Sequence, residues 1–312
     1  MAQHQLESAP TTVTNVFSRD TPPVLTVEPG DTLVVHTLDC SGHLERLRSP
    51  GETRPRMFDS KPGHCLVGPV AVRGAVPGAT LAVQLAELHP DAWGFTAANS
   101  RDTPLNRRLG LTGAGPAHLL WDIDEEAGTA TEQHGHTVPL APFLGVVGLP
   151  PAEPGEHPTG PPRAEGGGNI DCRELVAGST LYLPVTVPGA LLCVGDGHAA
   201  QGDGEVSGTA IECGMTTTLR LDLIEEKPPV PGIHAVTPAG RVTFGFDADL
   251  NEASAQALDA MLVWLGALYG LDRPTALALA STVVDLRVTQ IANGVWGVHA
   301  LLPDGALTTR TA

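Results

Sequence analysis

Pro29-Gly30-Asp31-Thr32-Leu33-Val34-Val35 is a glycine turn that runs directly into an alternating, β-branched strand, and the chain contains this pattern three times. Pro77-Gly78-Ala79-Thr80-Leu81-Ala82-Val83 repeats it, and Ala177-Gly178-Ser179-Thr180-Leu181-Tyr182-Leu183 is a third copy. Glycine supplies the backbone angles of a tight turn, and apolar alternation marks a half-buried strand. The short run Val24 to Val27 and the β-branched run Thr32 to Thr37 belong to the same pattern. Simple hairpins could also produce such a weak repeat. It favours two related β units, one over 1–90 and one over 169–312, joined by a loop-rich region over 91–168 within one compact structure.

The connecting region holds Asp124-Glu125-Glu126, His134-Gly135-His136 and a Pro/Gly-dense stretch from Pro150 to Gly168. A structureless segment of that length is uncommon unless it is functional or disordered. Helical spacing appears only late, with Leu258, Met261, Leu262, Leu265 and Leu268 on one stripe between Asn251 and Tyr269. Asp249 followed by Glu252 resembles a capping box, and Gly270 is a natural stop. A second helix is expected from Asp272, with Pro274 tolerated in its first turn, to about Val288. The helical segment is thus 250–288, and a last strand covers Val295 to Leu302. The expected fold class is α+β, mostly β: a β-sandwich-like core with a C-terminal two-helix segment. The 36 Gly and 28 Pro fit many short strands joined by tight turns.

The net charge of −17 argues against nucleic acid as a partner, because phosphate recognition needs a basic face. The five cysteines, Cys40, Cys65, Cys172, Cys193 and Cys213, form no C-x-x-C pair, which argues against a disulfide framework or a cysteine zinc knuckle. The start, MAQHQLESAP, lacks the features of a signal peptide, and no window reaches 18 apolar residues. The expectation is a cytoplasmic protein without a membrane span.

Chemistry concentrates in Cys193-Val194-Gly195-Asp196-Gly197-His198-Ala199-Ala200-Gln201-Gly202-Asp203-Gly204-Glu205. From Gly195 onward it holds four glycines, three carboxylates, a histidine and a glutamine, with no large apolar side chain, so it is not expected to be a core strand. Asp196 and His198 stand two residues apart, which places them on one face of an extended chain. A carboxylate and an imidazole so placed suit a zinc-like divalent cation, and Glu205 could then act as general base. The plainer alternative is a glycine-rich turn with a solvated Asp196 and a capping Glu205. Gly168-Asn169-Ile170-Asp171 reads either as a second site loop or as an Asx turn. His64, after the turn Lys61-Pro62-Gly63, and Asp39, at the end of a strand, are further candidates. His134 and His136 are expected to be solvated. The full set is Glu205, Asp171 and His64 for catalysis, Asn169, Gln201 and Gly168 for substrate, and Asp196, His198 and Asp39 for the metal.

At these residues the chain resembles the acetamidase/formamidase family. Gly195 to Glu205 resembles its G-D-x-H-x-x-Q-G-D-G-E segment, and Gly167 to Asp171 its G-G-N-x-D loop. Gly68-Pro69-Val70 with Gly74-Ala75-Val76-Pro77-Gly78 resembles a family hairpin, with Ala79 where Asp is usual. Val283 to Gln290 and Gly297 to Pro303 resemble its C-terminal pattern. The resemblance spans about residues 13–303. It implies a β-rich fold, hydrolysis of short amides to carboxylate and ammonia, and often a bound divalent metal such as zinc; the expected reaction is cleavage of a short linear amide by metal-activated water, and a homo-oligomer, a dimer, is expected. His64 looks like the histidine of the formamidase branch, whereas the G-D-G-H form looks more like the acetamidase branch. A lactam substrate and a non-enzymatic, metal-stabilised β-sandwich binding protein are the alternatives. A nucleophilic amidase with a catalytic lysine fits poorly, because the only lysines, Lys61 and Lys227, sit in Pro-flanked turns.

Overall fold

The structure, a computed structural model, describes residues 1–58, 63–224, 226 and 228–308. Lys61 and Lys227, with the turns assigned to them, lie outside the described residues. Eighteen strands join into one hydrogen-bonded sheet, and Val16–Phe17 pairs separately with His157–Pro158. Among the described residues three helices accompany them: Pro104–Arg108, Leu250–Tyr269 and Arg273–Val283. The protein is therefore α+β and mostly β, with its helix pair near the C-terminus.

The three sequence repeats fold alike at their turns. Gly30, Gly78 and Gly178 all have φ near +90° (87°, 92° and 89°), a region closed to most side chains. Each turn delivers a strand: Thr32–Thr37, Thr80–Ala98 and Thr180–Pro184. These strands assemble around Glu212–Ile224. That strand pairs antiparallel with Thr80–Ala98 on one side, from Glu212 opposite Phe95 to Ile224 opposite Thr80. On its other side Met215 faces Thr37 and Arg220 faces Thr32. Thr180–Pro184 adds to the free edge of Thr80–Ala98, with Leu181 opposite Val83. The inward-facing Leu33, Val35, Leu81, Val83, Leu85, Leu181, Leu183, Leu219 and Leu221 all belong to the main core.

One expectation gains detail and one needs correction. The stretch 91–168, expected to be loop-rich, alternates loops with strands. It completes Thr80–Ala98 and adds Ala117–Asp124, Thr129–Glu132, Thr137–Pro139 and the fully buried Phe143–Gly148. Its glycines and prolines punctuate short strands. The second helix ends at Val283 and does not reach Val288. Val284 is already extended, and Asp285–Gln290 pairs with Trp296–Pro303. The run Thr282-Val283-Val284 is β-branched, and a waiting sheet edge decides such a run in favour of strand. The capping residues sit as expected, with Asp249 accepting from the Asn251 N–H, Gly270 left-handed and Asp272 accepting from the Thr275 N–H, but the Asp249 N–H bonds Asp247 and not Glu252, so the capping box is half made.

Leu250–Tyr269 packs on Gly240–Asp247 at very close range. Thr243 Oγ1 donates to the Ala257 carbonyl at 2.7 Å, and the Phe246 N–H donates to Gln256 Oε1 at 3.1 Å. The close approach depends on Gly245, where an added Cβ would collide with the Ala253 carbonyl and lie 2.7 Å from the Ala257 nitrogen. Both are helix backbone atoms and cannot swing aside. Gly245→Ala should therefore lift the helix and destabilise the protein by about 1–3 kcal/mol, as overpacking does. Gly294→Ala, which meets nothing within 4 Å, serves as the control in thermal unfolding. Equal melting temperatures for the two variants would contradict this packing.

Candidate active site

The central strand of the site is Leu192–His198, buried along its whole length. This corrects the expectation that Gly195 onward could not enter the core. Phe143–Gly148 pairs with it, placing Phe143 opposite His198, while Glu212 faces His198 from the other neighbour. The glycines allow this proximity. A Cβ on Gly195 would stand 2.8 Å from the Cys65 carbonyl, and one on Gly197 would stand 2.8 Å from the Cys213 carbonyl. From Ala199 the chain leaves the sheet and carries Gln201, Asp203 and Glu205 round a loop.

Asp171, His198 and Glu205 offer ligand atoms that all lie within 4.8 Å of one another, and Cys40, Asp196 and Glu212 do the same. The two groups adjoin: His198 Nε2 is 3.5 Å from Asp196 Oδ1 and 3.3 Å from Glu212 Oε2. Of the five non-glycine residues with positive φ among the described residues, Asp171, Asp196 and Glu205 are three. Such strained conformations persist where the surroundings over-determine them, and they cluster at functional sites.

One histidine nitrogen is fixed by a brace. His198 Nδ1 pairs with Gln201 Oε1 at 2.9 Å, and Gln201 Nε2 donates to the Asp171 carbonyl at 2.8 Å. Because the amide oxygen can only accept, Nδ1 carries the proton and Nε2 faces the carboxylates. Nε2, both Asp171 carboxylate oxygens, Glu205 Oε2 and Glu212 Oε2 are buried without a hydrogen-bond partner. Buried polar atoms are nearly always paired, so this convergence of unpaired atoms makes the cluster a candidate cation site. A histidine whose second nitrogen is anchored by an acceptor, surrounded by carboxylate oxygens, fits a divalent cation.

The electrostatics agree. Burial, reinforced by Glu205 and Asp196, holds the Asp171 carboxyl well above its ordinary value. Burial pushes Glu205 up to about 8, opposed by His198 and reinforced by Glu212 and Asp196. Burial also raises Glu212. Asp196 goes the other way: burial disfavours its charge, but His64 and His198 together hold it ionised. His198 is raised despite burial, because Glu212 and Asp196 favour its charged form. Cation and proton therefore compete for the same place.

The other anticipated residues are placed as follows. His64 Nε2 lies 3.9 Å from Asp196 Oδ2, and its Nδ1 is 2.9 Å from the Thr159 hydroxyl. Asp39 does not join either ligand group. Its carboxylate is occupied by the His43 ring at 3.0 Å and by the N–H groups of Ser41 and His43, so it closes a turn. Gln201 braces His198 and the Asp171 carbonyl with its amide oxygen and one of its two amide N–H groups, and it also lines the cavity beside Glu205. Gly168 packs against Gly148, where a Cβ on the latter would meet its Cα at 2.6 Å. Asn169 is buried with an orphaned Oδ1. His134 and His136 are exposed, and their N–H groups close a turn on Glu132. Glu212, Cys40 and Gly145 were not anticipated. The only sequence signal for Glu212 is a lone carboxylate in Ala210-Ile211-Glu212-Cys213, and nothing distinguishes Cys40 or Gly145.

A profile of the acetamidase/formamidase family matches residues 2–159 and 152–297. An acetamidase of Mycolicibacterium smegmatis is 29% identical over 270 residues, covering 68% of this chain and 66% of its own length. A formamidase of Methylophilus methylotrophus is 26% identical over 302 residues, covering 78% of this chain and 73% of its own. The crystal structure of an acetamidase from Bacillus halodurans superimposes with a TM-score of 0.83 at 27% identity, over 96% of this chain and 97% of the other.

Gly145 supplies a direct test of the site's tightness. Its carbonyl accepts from the N–H groups of Ile170 and Asp171. A Cβ there would stand 2.5 Å from Asp196 Oδ2, 2.7 Å from Asp171 Oδ1 and 2.9 Å from His198 Cε1. Gly145→Ala must displace at least two of these groups, and an ångström of misplacement costs turnover about 100-fold. The expected outcome is a folded protein, by circular dichroism, with turnover reduced by about that factor. Wild-type turnover in this variant would show that the three groups need not converge.

Proposed function

We infer the function from one premise: the chain belongs to the acetamidase/formamidase family. It is an amidohydrolase that cleaves short linear amides to carboxylate and ammonia. The observation that best supports an active site here is the convergence of orphaned atoms from Asp171, His198, Glu205 and Glu212.

The residues fit a divalent cation held by His198 Nε2, Asp196 and Asp171, and mixed nitrogen and oxygen donors favour zinc. When bound, such a cation supplies Lewis acidity, acidifying water and polarising an amide carbonyl. Glu205 is the proton carrier in this reading. Burial raises its carboxyl above the ordinary value, so it holds a proton more readily than an exposed carboxylate and could pass one from the attacking water to the departing nitrogen. Gln201 keeps the imidazole of His198 in one tautomer. The Asn169 Oδ1, lacking a partner, is suited to accept an N–H from the substrate amide. His64 holds Asp196 from the far side as a positioning residue. The five cysteines are free, which suits a reducing compartment and so the cytoplasm. The homodimer implied by the family resemblance is part of the same proposal.

Metal analysis combined with acetamide and formamide hydrolysis tests the assignment. The wild type should carry about one divalent cation per chain, most tightly zinc. Glu205→Gln is nearly isosteric and should keep the cation while turnover falls about 10²–10⁴-fold. His198→Ala should lose cation and turnover together. A Glu205→Gln enzyme with normal turnover would remove Glu205 from the chemistry, and one that is inactive and metal-free would make it a ligand.

A further inference from the structure

Beside Glu205 and Gln201 opens a cavity of about 390 Å³. That lies within the size range of sites for drug-sized ligands, roughly 300–1,000 Å³. Acetamide carries only a methyl group beyond its amide, and formamide carries none, so neither would fill it.

One wall is built from Trp121, Val138, Ile211, Thr96, Thr209 and Ser207. Its polar groups are already committed. Thr96 Oγ1 donates to the Ala210 carbonyl at 2.6 Å, Thr209 Oγ1 to the Ala97 carbonyl at 2.9 Å, and Ser207 Oγ to the Thr209 carbonyl at 3.1 Å. Trp121 Nε1 donates to Thr96 Oγ1 at 3.0 Å, which locks the indole in place. A ligand on this wall meets carbon surface. Arg173 and Asp203 also line the cavity. Arg287, outside it, bonds both Asp203, at 2.7 Å, and Glu174. In the lining itself Arg173 is set against Asp203 and Glu205, so the cavity offers no net positive charge to an anion. Val206, 70% exposed, continues the apolar surface at the mouth.

We propose that this cavity receives the acyl chain of the substrate, so that the preferred substrates are neutral primary amides with an aliphatic or aromatic acyl group larger than acetyl. This rests on the amidase reading above, and it puts the substituent on the acyl side because the nitrogen leaves as ammonia. Trp121, Val138 and Ile211 are then the residues that set specificity.

The test compares kcat/KM of the wild-type enzyme for formamide, acetamide, butyramide, phenylacetamide and succinamate. One methylene in an apolar pocket is worth about 10–200-fold. Butyramide should exceed acetamide by at least about tenfold, phenylacetamide should equal or exceed butyramide, and succinamate, which ends in a carboxylate, should fall below butyramide. In Val138→Trp, which fills the cavity, the ratio of phenylacetamide to acetamide activity should drop at least about tenfold. If that variant does not fold, the wild-type series decides alone. Acetamide turned over as well as or better than the larger amides would overturn the inference while leaving the amidase reading intact. Succinamate above butyramide would overturn the neutral, apolar assignment. No hydrolysis of any of these amides would overturn the amidase reading and the inference with it.

Discussion

Four carboxyl groups and one imidazole share a dry space inside the sheet, and the rest of the site answers to that crowding. Asp171, Asp196, Glu205 and Glu212 are 1%, 2%, 7% and 2% exposed, and His198 is fully buried. An uncompensated buried charge costs several kcal/mol, so four like charges cannot coexist there unaided. The molecule meets the difficulty in part with protons: Asp171, Glu205 and Glu212 are all raised, and His198 is held in its charged form. A divalent cation is the other physical answer. It would engage the Asp171 oxygens and, once its proton is displaced, His198 Nε2, and its charge would offset that of the neighbouring carboxylates.

This crowding also accounts for the local backbone. Side chains can crowd together only where neighbouring backbones carry none, which is the part played by Gly145, Gly195 and Gly197. The left-handed backbone at Asp171, Asp196 and Glu205 turns three carboxylates inward from three separate segments. Strain at those positions is held by strand pairing on both sides of Leu192–His198 and by the Gln201 brace between His198 and Asp171. The site is thus pre-organised by the sheet, with the loop after His198 contributing Gln201 and Glu205.

Much of this was legible in the sequence, for reasons that can be named. The three Gly-turn repeats identified strands because a positive-φ glycine followed by alternation has few other structural meanings. The clustering of Asp196, His198, Gln201 and Glu205 within ten residues points to the candidate site because their chemistry is local in the chain. The less legible part was non-local. Glu212 reaches His198 only through strand pairing, and its signal is a single carboxylate among apolar neighbours. Gly145 matters because of what would collide with its absent side chain, which sequence cannot show. Asp39 looked like a ligand at a strand end, yet the nearby His43 and two N–H groups consume its oxygens. The helix expected to reach Val288 stops at Val283 because the competing partner, Trp296–Pro303, lies beyond the window in which helical periodicity is read.

The central claim is that the orphaned atoms around His198 Nε2 form the seat of a divalent cation. The most direct measurement is an anomalous diffraction map from crystals of the wild-type protein grown with zinc, collected on both sides of the zinc edge. The account predicts one strong peak within bonding distance of His198 Nε2, about 2.0–2.1 Å for zinc and nitrogen, with the Asp196 and Asp171 carboxylates as further ligands. A map with no peak there, with Nε2 protonated and bonded to Glu212 or Asp196, would contradict it.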